Sequence, residues 1–163
     1  MSQNEMYRGE QGRAAPVLTD EDYQDQADFR AALRRFAHYS EEQARLHGIT
    51  PQQHQLLLAV RGHISYPGVS IGEAAEALQI RHHSASLLVD RCVRRDLLER
   101  REDPRDRRRA LLTLRPEGER ILQEITHANR SQILSLRGAL FRDSLQQALD
   151  AYNSVLDSPA AEA

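Results

Sequence analysis

The chain has 163 residues, a net charge of −2 at pH 7 and a single cysteine. This length suits one domain, or one domain with extensions, and one cysteine excludes both an internal disulfide and a cysteine-based zinc cage. No apolar run is long enough to span a membrane, and the polar N-terminus lacks the apolar centre of a secretory signal. We therefore expect a cytoplasmic protein with no membrane partner.

The first predicted elements are a polar arm and two helices. Residues 1–17 show no apolar periodicity, which predicts a disordered arm. A helix should follow from the N-cap residue Thr19 to Gly48. Its apolar residues recur at helical spacing: Phe29, Leu33 and Phe36. The Thr50-Pro51 pair predicts the start of a second helix, which should end before a turn at Tyr66-Pro67-Gly68.

The next segment has the pattern of a helix-turn-helix. Ser70 and Glu73 form a capping box that opens a short helix from Ile71 to about Leu78. After a tight break at Gln79-Ile80, a second helix is predicted from about His82 to Arg95. Its inner, apolar face consists of Ala85, Leu88, Val89 and Cys92.

A basic β-hairpin is predicted to follow directly. Leu97-Leu98 and Ala110–Leu114 are short apolar stretches, and the Pro and Asp residues between them favour a turn. Residues 81–109 hold ten arginines and six acids, a net charge of +4, while residues 1–60 carry −3. A basic segment on an acidic chain is typical of a protein that meets a polyanion, although a salt-bridged surface gives the same count. A helix-turn-helix followed by a hairpin predicts a winged helix.

Helical periodicity returns after Pro116 and continues to the end of the apolar pattern. One predicted helix carries Ile121, Leu122 and Ile125, and a last one carries Leu140, Phe141, Leu145, Leu149, Tyr152 and Val155. Residues 158–163 are predicted to be a frayed tail. The fold class is therefore mainly α, with a small β-hairpin wing.

The polar residues on the second helix of the helix-turn-helix are candidates for contacts with DNA, because a recognition helix turns such groups outward. They are Arg81, His82, His83, Ser84, Ser86, Arg91, Arg94 and Arg95. On the wing the candidates are Arg105, Arg107 and Arg108, with Asp103 and Asp106 expected to fix the turn. The alternative is a solvated helix whose charges serve solubility alone.

The stretch Ile71–Gly118 resembles the MarR family of winged helix-turn-helix transcriptional regulators. The blocks that carry the resemblance are Leu88–Arg91, Asp103–Arg108 and Leu114–Gly118, which occur in the family's order and spacing. With the flanking helices, the resemblance extends over residues 20–157. It implies a homodimer whose two winged lobes reach successive major grooves of a pseudo-palindromic operator.

The resemblance also implies a division of the chain into functional parts. Residues 18–48 would be an N-terminal dimerisation helix, 49–115 the DNA-binding region, and 116–157 the C-terminal dimerisation helices. The residues expected at the dimer interface are Phe29, Leu33, Leu145, Leu149 and Tyr152. Many relatives are repressors that are released by phenolic or other small ligands bound between these regions. The corresponding candidates for an effector pocket are Phe36, Tyr39, His54, Leu57 and Leu58, although each of these could equally be a core residue.

Four residues depart from the family pattern. Asp96 replaces a glycine after the recognition helix, at a position expected to need a left-handed backbone. Arg81 replaces a small capping residue, and Arg115 replaces a threonine that would cap the next helix. Leu87 stands where an arginine or another polar residue is common.

Three alternatives to a ligand-released repressor follow from the residues. Cys92 could make the protein a redox-responsive regulator, but its place on the inner face of the helix predicts a buried, structural thiol. The departures from the family pattern leave room for a protein-interaction module without DNA binding. An enzyme has no support, because no catalytic constellation or cofactor loop is present. A metal site is not expected either, since the adjacent His82 and His83 diverge on a helix.

Overall fold

A computed structural model of the protein describes residues 17–104, 106 and 109–156, with side chains described up to residue 138. In chain order the elements are α1 (Asp20–Leu46), α2 (Pro51–Arg61), β1 (Val69–Ser70), α3 (Ile71–Ala77), α4 (His82–Arg94), β2 (Leu98–Glu102), β3 (Ala110–Leu114) and α5 (Pro116–Leu156). The predicted fold class, mainly α with a small wing, is confirmed. Among the described residues, no helix combines the length and the apolar character needed to cross a bilayer.

Helix α1 begins and ends where its sequence signals indicate. The backbone N–H of Asp22 donates to Thr19 Oγ1 at 3.3 Å, and the N–H of Thr19 donates to Asp22 Oδ2 at 2.7 Å. The backbone N–H and the hydroxyl of Thr19 both donate to Asp22 Oδ2, and these two hydrogen bonds lower the pKa of the Asp22 carboxyl group. At the other end Gly48 adopts φ +73°, which glycine tolerates without a steric cost. The chain divides after Leu33 into two compact units, of which the second contains α2 to α5.

Helices α2 and α3 each begin with a reciprocal capping box. The side chain of Thr50 accepts from the N–H of Gln53, whose side chain accepts from the N–H of Thr50. Ser70 and Glu73 repeat this arrangement at the start of α3, as predicted. Hydrogen bonds from the side chain and backbone of Ser70 lower the pKa of Glu73. In each helix the capping box thus satisfies two N–H groups at the N-terminus, those of the N-cap residue and of the third helical residue.

The small sheet has the order β1-β3-β2 and is antiparallel. Strands β2 and β3 pair from Leu98 with Leu114 to Glu102 with Ala110, which is the predicted hairpin. Strand β1 adds the pair Val69 and Leu112, and both side chains are fully buried. The sequence did not predict β1, because two residues are too few to show an alternating pattern.

The hydrophobic core lies in the second unit and joins the helix-turn-helix to the sheet and to α5. The inner face of α4 is buried as predicted: Ala85, Leu88, Val89 and Cys92. The largest core side chains around it are Leu56, Leu57, Val60, Leu97, Leu98, Leu112 and Ile125. This packing turns the opposite face of α4 toward solvent.

The C-terminal segment is one helix of 41 residues, where two were predicted. Gly138 lies within this helix. A glycine in a helix interior costs about 1 kcal/mol of stability, and because no proline follows it here, this cost does not end the helix. The backbones of Leu145, Leu149 and Tyr152 lie in α5, but their side chains are outside the described part. Residues 1–16 of the predicted arm and the tail 158–163 are also outside the described residues.

Candidate nucleic-acid interface

The turn between α3 and α4 sets the direction of the second helix. Gln79 adopts φ +54°, and the N–H of Ile80 donates to the carbonyl of Ala75 at 3.0 Å. The two helices therefore pack against each other across a tight corner, as in a helix-turn-helix. Arg81 is the N-cap of α4 and makes no capping hydrogen bond with its side chain, so its guanidinium group is not held at the helix end.

The outward face of α4 is polar and basic. Arg81, His82, His83, Ser84, Arg91, Arg94 and Arg95 are exposed, and Ser86 is half-buried. Within the described chain, the guanidinium groups of Arg81, Arg91 and Arg94 form no ion pair with a carboxylate. Arg95 donates to the buried Gln53 Oε1 at 3.3 Å, which ties the end of α4 to α2. Positive charge on this face is thus largely uncompensated.

The arginines of the wing strands, by contrast, are paired with acids. Arg100 bonds Asp90 on α4 at 3.1 Å, Arg101 bonds Glu99 within β2, and Arg109 lies 3.6 Å from Glu73 on α3. These exposed pairs contribute little energy each. They do link the wing to α4 and α3. Among the described residues of 81–109, the arginines that remain unpaired lie on α4 and at its two ends.

Backbone hydrogen bonds join the described residues of the wing tip. Asp103 N–H donates to Arg109 O at 3.0 Å, Asp106 N–H to Asp103 O at 3.2 Å, and Arg109 N–H to Asp106 O at 2.9 Å. Asp103 is buried, which suits the predicted role of the two aspartates in fixing the turn. The candidate contact residues Arg105, Arg107 and Arg108 lie outside the described residues.

Two departures from the family pattern meet at one corner of the fold. Asp96 has φ +56°, the left-handed backbone that its position was expected to require. Its Oδ1 accepts a hydrogen bond from Arg115 Nε at 3.0 Å. The two unusual residues therefore form an ion pair across the junction between α4, the wing and α5. Sequence spacing could not reveal this pair, because 19 residues separate its members.

A cleft of about 230 Å³ lies between α1, α2 and α5 in the second unit. Three of the predicted effector residues line it: Phe36, His54 and Leu58. Leu57 is fully buried in the core, because one helical step turns it away from its neighbour at 58. Tyr39 is also not among the lining residues; its hydroxyl donates to the carbonyl of Ala128 at 3.4 Å.

Sequence reasoning missed the polar wall of this cleft. Asn129 is 4% exposed, its Nδ2 donates to Ser40 Oγ at 3.0 Å, and its Oδ1 has no hydrogen-bond partner within the described chain. The sequence did contain a signal for this polar wall, because Asn129 falls on the same helix face as the apolar residues Leu122 and Ile125. His54 also lines the cleft, and burial lowers its pKa, which favours the neutral imidazole.

Comparison with known proteins decides the family. A profile of the MarR family matches residues 47–109 of this chain. YsmB of Bacillus subtilis, named as an uncharacterized HTH-type transcriptional regulator, is 30% identical over 112 residues, which cover 66% of this chain and 75% of YsmB. The chain belongs to the MarR family. It is accordingly a transcriptional regulator, and its relatives are regulators rather than enzymes.

Solved structures of MarR regulators share the fold. The MarR family transcription regulator SP03579 superimposes with a TM-score of 0.64 at 26% identity, over 86% of this chain and 95% of that one. MepR of Staphylococcus aureus, in its complex with DNA, gives a TM-score of 0.62 at 21% identity, over 87% of this chain and 99% of MepR. The winged helix of this MarR regulator is therefore embedded in the same helical framework.

Proposed function

We propose that this MarR regulator binds double-stranded DNA as a homodimer and inserts α4 of each protomer into the major groove of a pseudo-palindromic operator. The observation that carries the proposal is the outward face of α4, where Arg81, Arg91 and Arg94 have no acidic partner among the described residues. A duplex supplies the missing negative charge along its phosphates. MepR, which has a similar fold, has been solved in a complex with DNA, and this supports DNA binding by the present chain.

The polar residues of α4 and the wing should contribute differently to binding. His83 and Ser84 lie in the first turn of α4, where a recognition helix meets base edges, so they should supply sequence choice. We expect His83→Ala or Ser84→Ala to cost about 1–3 kcal/mol on the cognate site and less on scrambled DNA. Arg105→Ala or Arg107→Ala should weaken binding to every sequence and reduce the salt slope by about one unit for each phosphate that a subunit no longer neutralises.

Salt titrations of each variant on cognate and scrambled duplexes measure both quantities. Arg120→Ala is the matched control, because Arg120 lies on α5 and is paired with Glu117 and Glu124. It should change neither the affinity nor the slope. If the wing variants lose discrimination while keeping the slope, the roles assigned to the helix and the wing are reversed.

A dimer is expected from apolar side chains at the two ends of the chain. Phe29 and Leu33 on α1 are 44% and 43% exposed, one helical turn apart. Exposed apolar side chains on α1 suit a helix that packs against a second copy of the chain. The apolar sequence pattern of Leu145, Leu149 and Tyr152 on α5 suits the same arrangement. Sedimentation equilibrium at micromolar concentration should give twice the 18.6 kDa chain mass, and Leu33→Asp should shift the equilibrium toward monomer. A single 18.6 kDa species for the wild type would refute the dimer.

We propose further that the protein is a repressor released by a small, phenol-like effector in the cleft between α1, α2 and α5. Phe36, Leu58 and Ile133 offer apolar contact. Asn129 Oδ1 has no hydrogen-bond partner among the described residues, so it is available to accept a hydrogen bond from a hydroxyl group of the ligand. Salicylate should then raise the thermal midpoint of the wild type by mass action and loosen its complex with DNA. Leu58→Trp, which fills the cleft, should remove both effects. If salicylate-like compounds change neither quantity in the wild type, this effector class is excluded.

A further inference from the structure

One apolar side chain, Leu87, stands in the middle of the polar face of α4. It is 46% exposed. At about 100° per residue, it lies about 150° around the helix from the centre of the buried face, so it points almost directly away from the core. His83 lies four residues before it and Arg91 four residues after it, which places the three side chains in one stripe.

The setting of Leu87 is more informative than its exposure. A single exposed leucine is ordinary on a protein surface. This one is followed along the same stripe by Arg91 and Arg94, whose charges have no acidic partner in the described part of the chain. The outward surface of α4, which would attract phosphates, therefore has an apolar residue at its centre. A helix surface that only contacts solvent would gain no stability from a leucine at that position.

We propose that Leu87 reads thymine in the operator by packing on its C5-methyl group. The inference rests on the proposed DNA binding. Thymine is the base that presents a methyl group in the major groove, and an apolar side chain that faces the bases can discriminate by contact with it. The neighbouring arginines hold the helix in the groove through phosphates, and Leu87 then lies over the base edges. Leu87 is thus a specificity-determining residue.

Replacement of thymine by deoxyuridine tests this directly, because it removes only the methyl group. Operator duplexes would be obtained by selection from a random pool with the wild-type protein, and each thymine would then be replaced in turn. We expect one thymine in each half-site to matter. Replacing it in a single half-site should lower the affinity of the wild type about 4-fold, and replacing it in both half-sites should lower the affinity about 15-fold. With Leu87→Ala, the thymine and deoxyuridine duplexes should bind equally.

The control is Leu46→Ala, which removes an exposed leucine at the end of α1 and should keep the full dependence on the methyl group. The proposal is overturned if the wild type tolerates deoxyuridine at every position within twofold, or if the loss persists unchanged in Leu87→Ala. Either result leaves DNA binding intact. Failure of the wild type to select any duplex would instead overturn the proposed function together with this inference.

Discussion

Gly118→Ala is expected to destabilise the protein by about 3 kcal/mol, at the upper end of what overpacking costs. A Cβ at this position would overlap the carbonyl oxygen of Leu97 and would lie 3.0 Å from its carbonyl carbon. That oxygen cannot move freely, because it accepts the N–H of Arg115 at 3.0 Å. The first turn of α5 therefore packs directly on the backbone that links α4 to the wing, and only glycine permits this close approach.

Helix propensity alone predicts the opposite effect, because alanine stabilises a helix relative to glycine. Gly138 lies in the same helix, and among the described residues an added Cβ there meets nothing within 4 Å, so Gly138→Ala should stabilise the protein by about 0.5–1 kcal/mol. Urea unfolding of both variants at one protein concentration gives the comparison. A stabilising effect of both substitutions would show that the approach of Gly118 to Leu97 is not as close as described.

Cys92 is expected to react with thiol reagents at least about 100-fold more slowly in the native protein than in the unfolded chain. Its side chain is fully buried, and burial raises its pKa from 9.0 to about 11, an effect that the nearby Arg95 opposes. At pH 8 this change lowers the thiolate fraction from about 10% to about 0.1%, and thiolate is the reactive form. Burial of the sulfur slows the reaction further.

Because the chain has one cysteine, labelling with a chromogenic disulfide reagent reports on Cys92 alone. The reaction in denaturant is the reference. The folded state holds the thiol proton more tightly than the unfolded state, so the stability that this group contributes is complete below pH 9 and is lost as the pH rises toward 11. Rapid labelling of the native protein at pH 8 would favour the alternative of a cysteine-based redox regulator.

Features that depend on neighbouring residues were predictable from the sequence. The caps at Thr50 and Ser70, the buried face of α4 and the hairpin all follow from local spacing, since each is set within a few residues. The left-handed backbone at Asp96 was also expected and is present.

Features that depend on distant contacts were not predictable. Strand β1 exists because Val69 pairs with Leu112, and the cleft has a polar wall because Asn129 meets Ser40 across 89 residues. The division of arginines on the basic segment into paired and unpaired groups likewise depends on tertiary placement. Composition gave a net charge of +4 for residues 81–109, but only the fold shows that, among the described residues of this segment, the arginines without an acidic partner lie on α4 and at its two ends.

The binding of the wild-type protein to a duplex from its own upstream region, compared with a scrambled duplex at the same salt concentration, tests most directly whether this surface reads DNA. We expect the upstream duplex to bind at least about 1,000-fold more tightly, with an affinity that falls steeply as salt increases. Equal and weak affinities for the two duplexes, or an affinity independent of salt, would contradict sequence-specific binding and would favour a winged-helix module that acts through protein contacts.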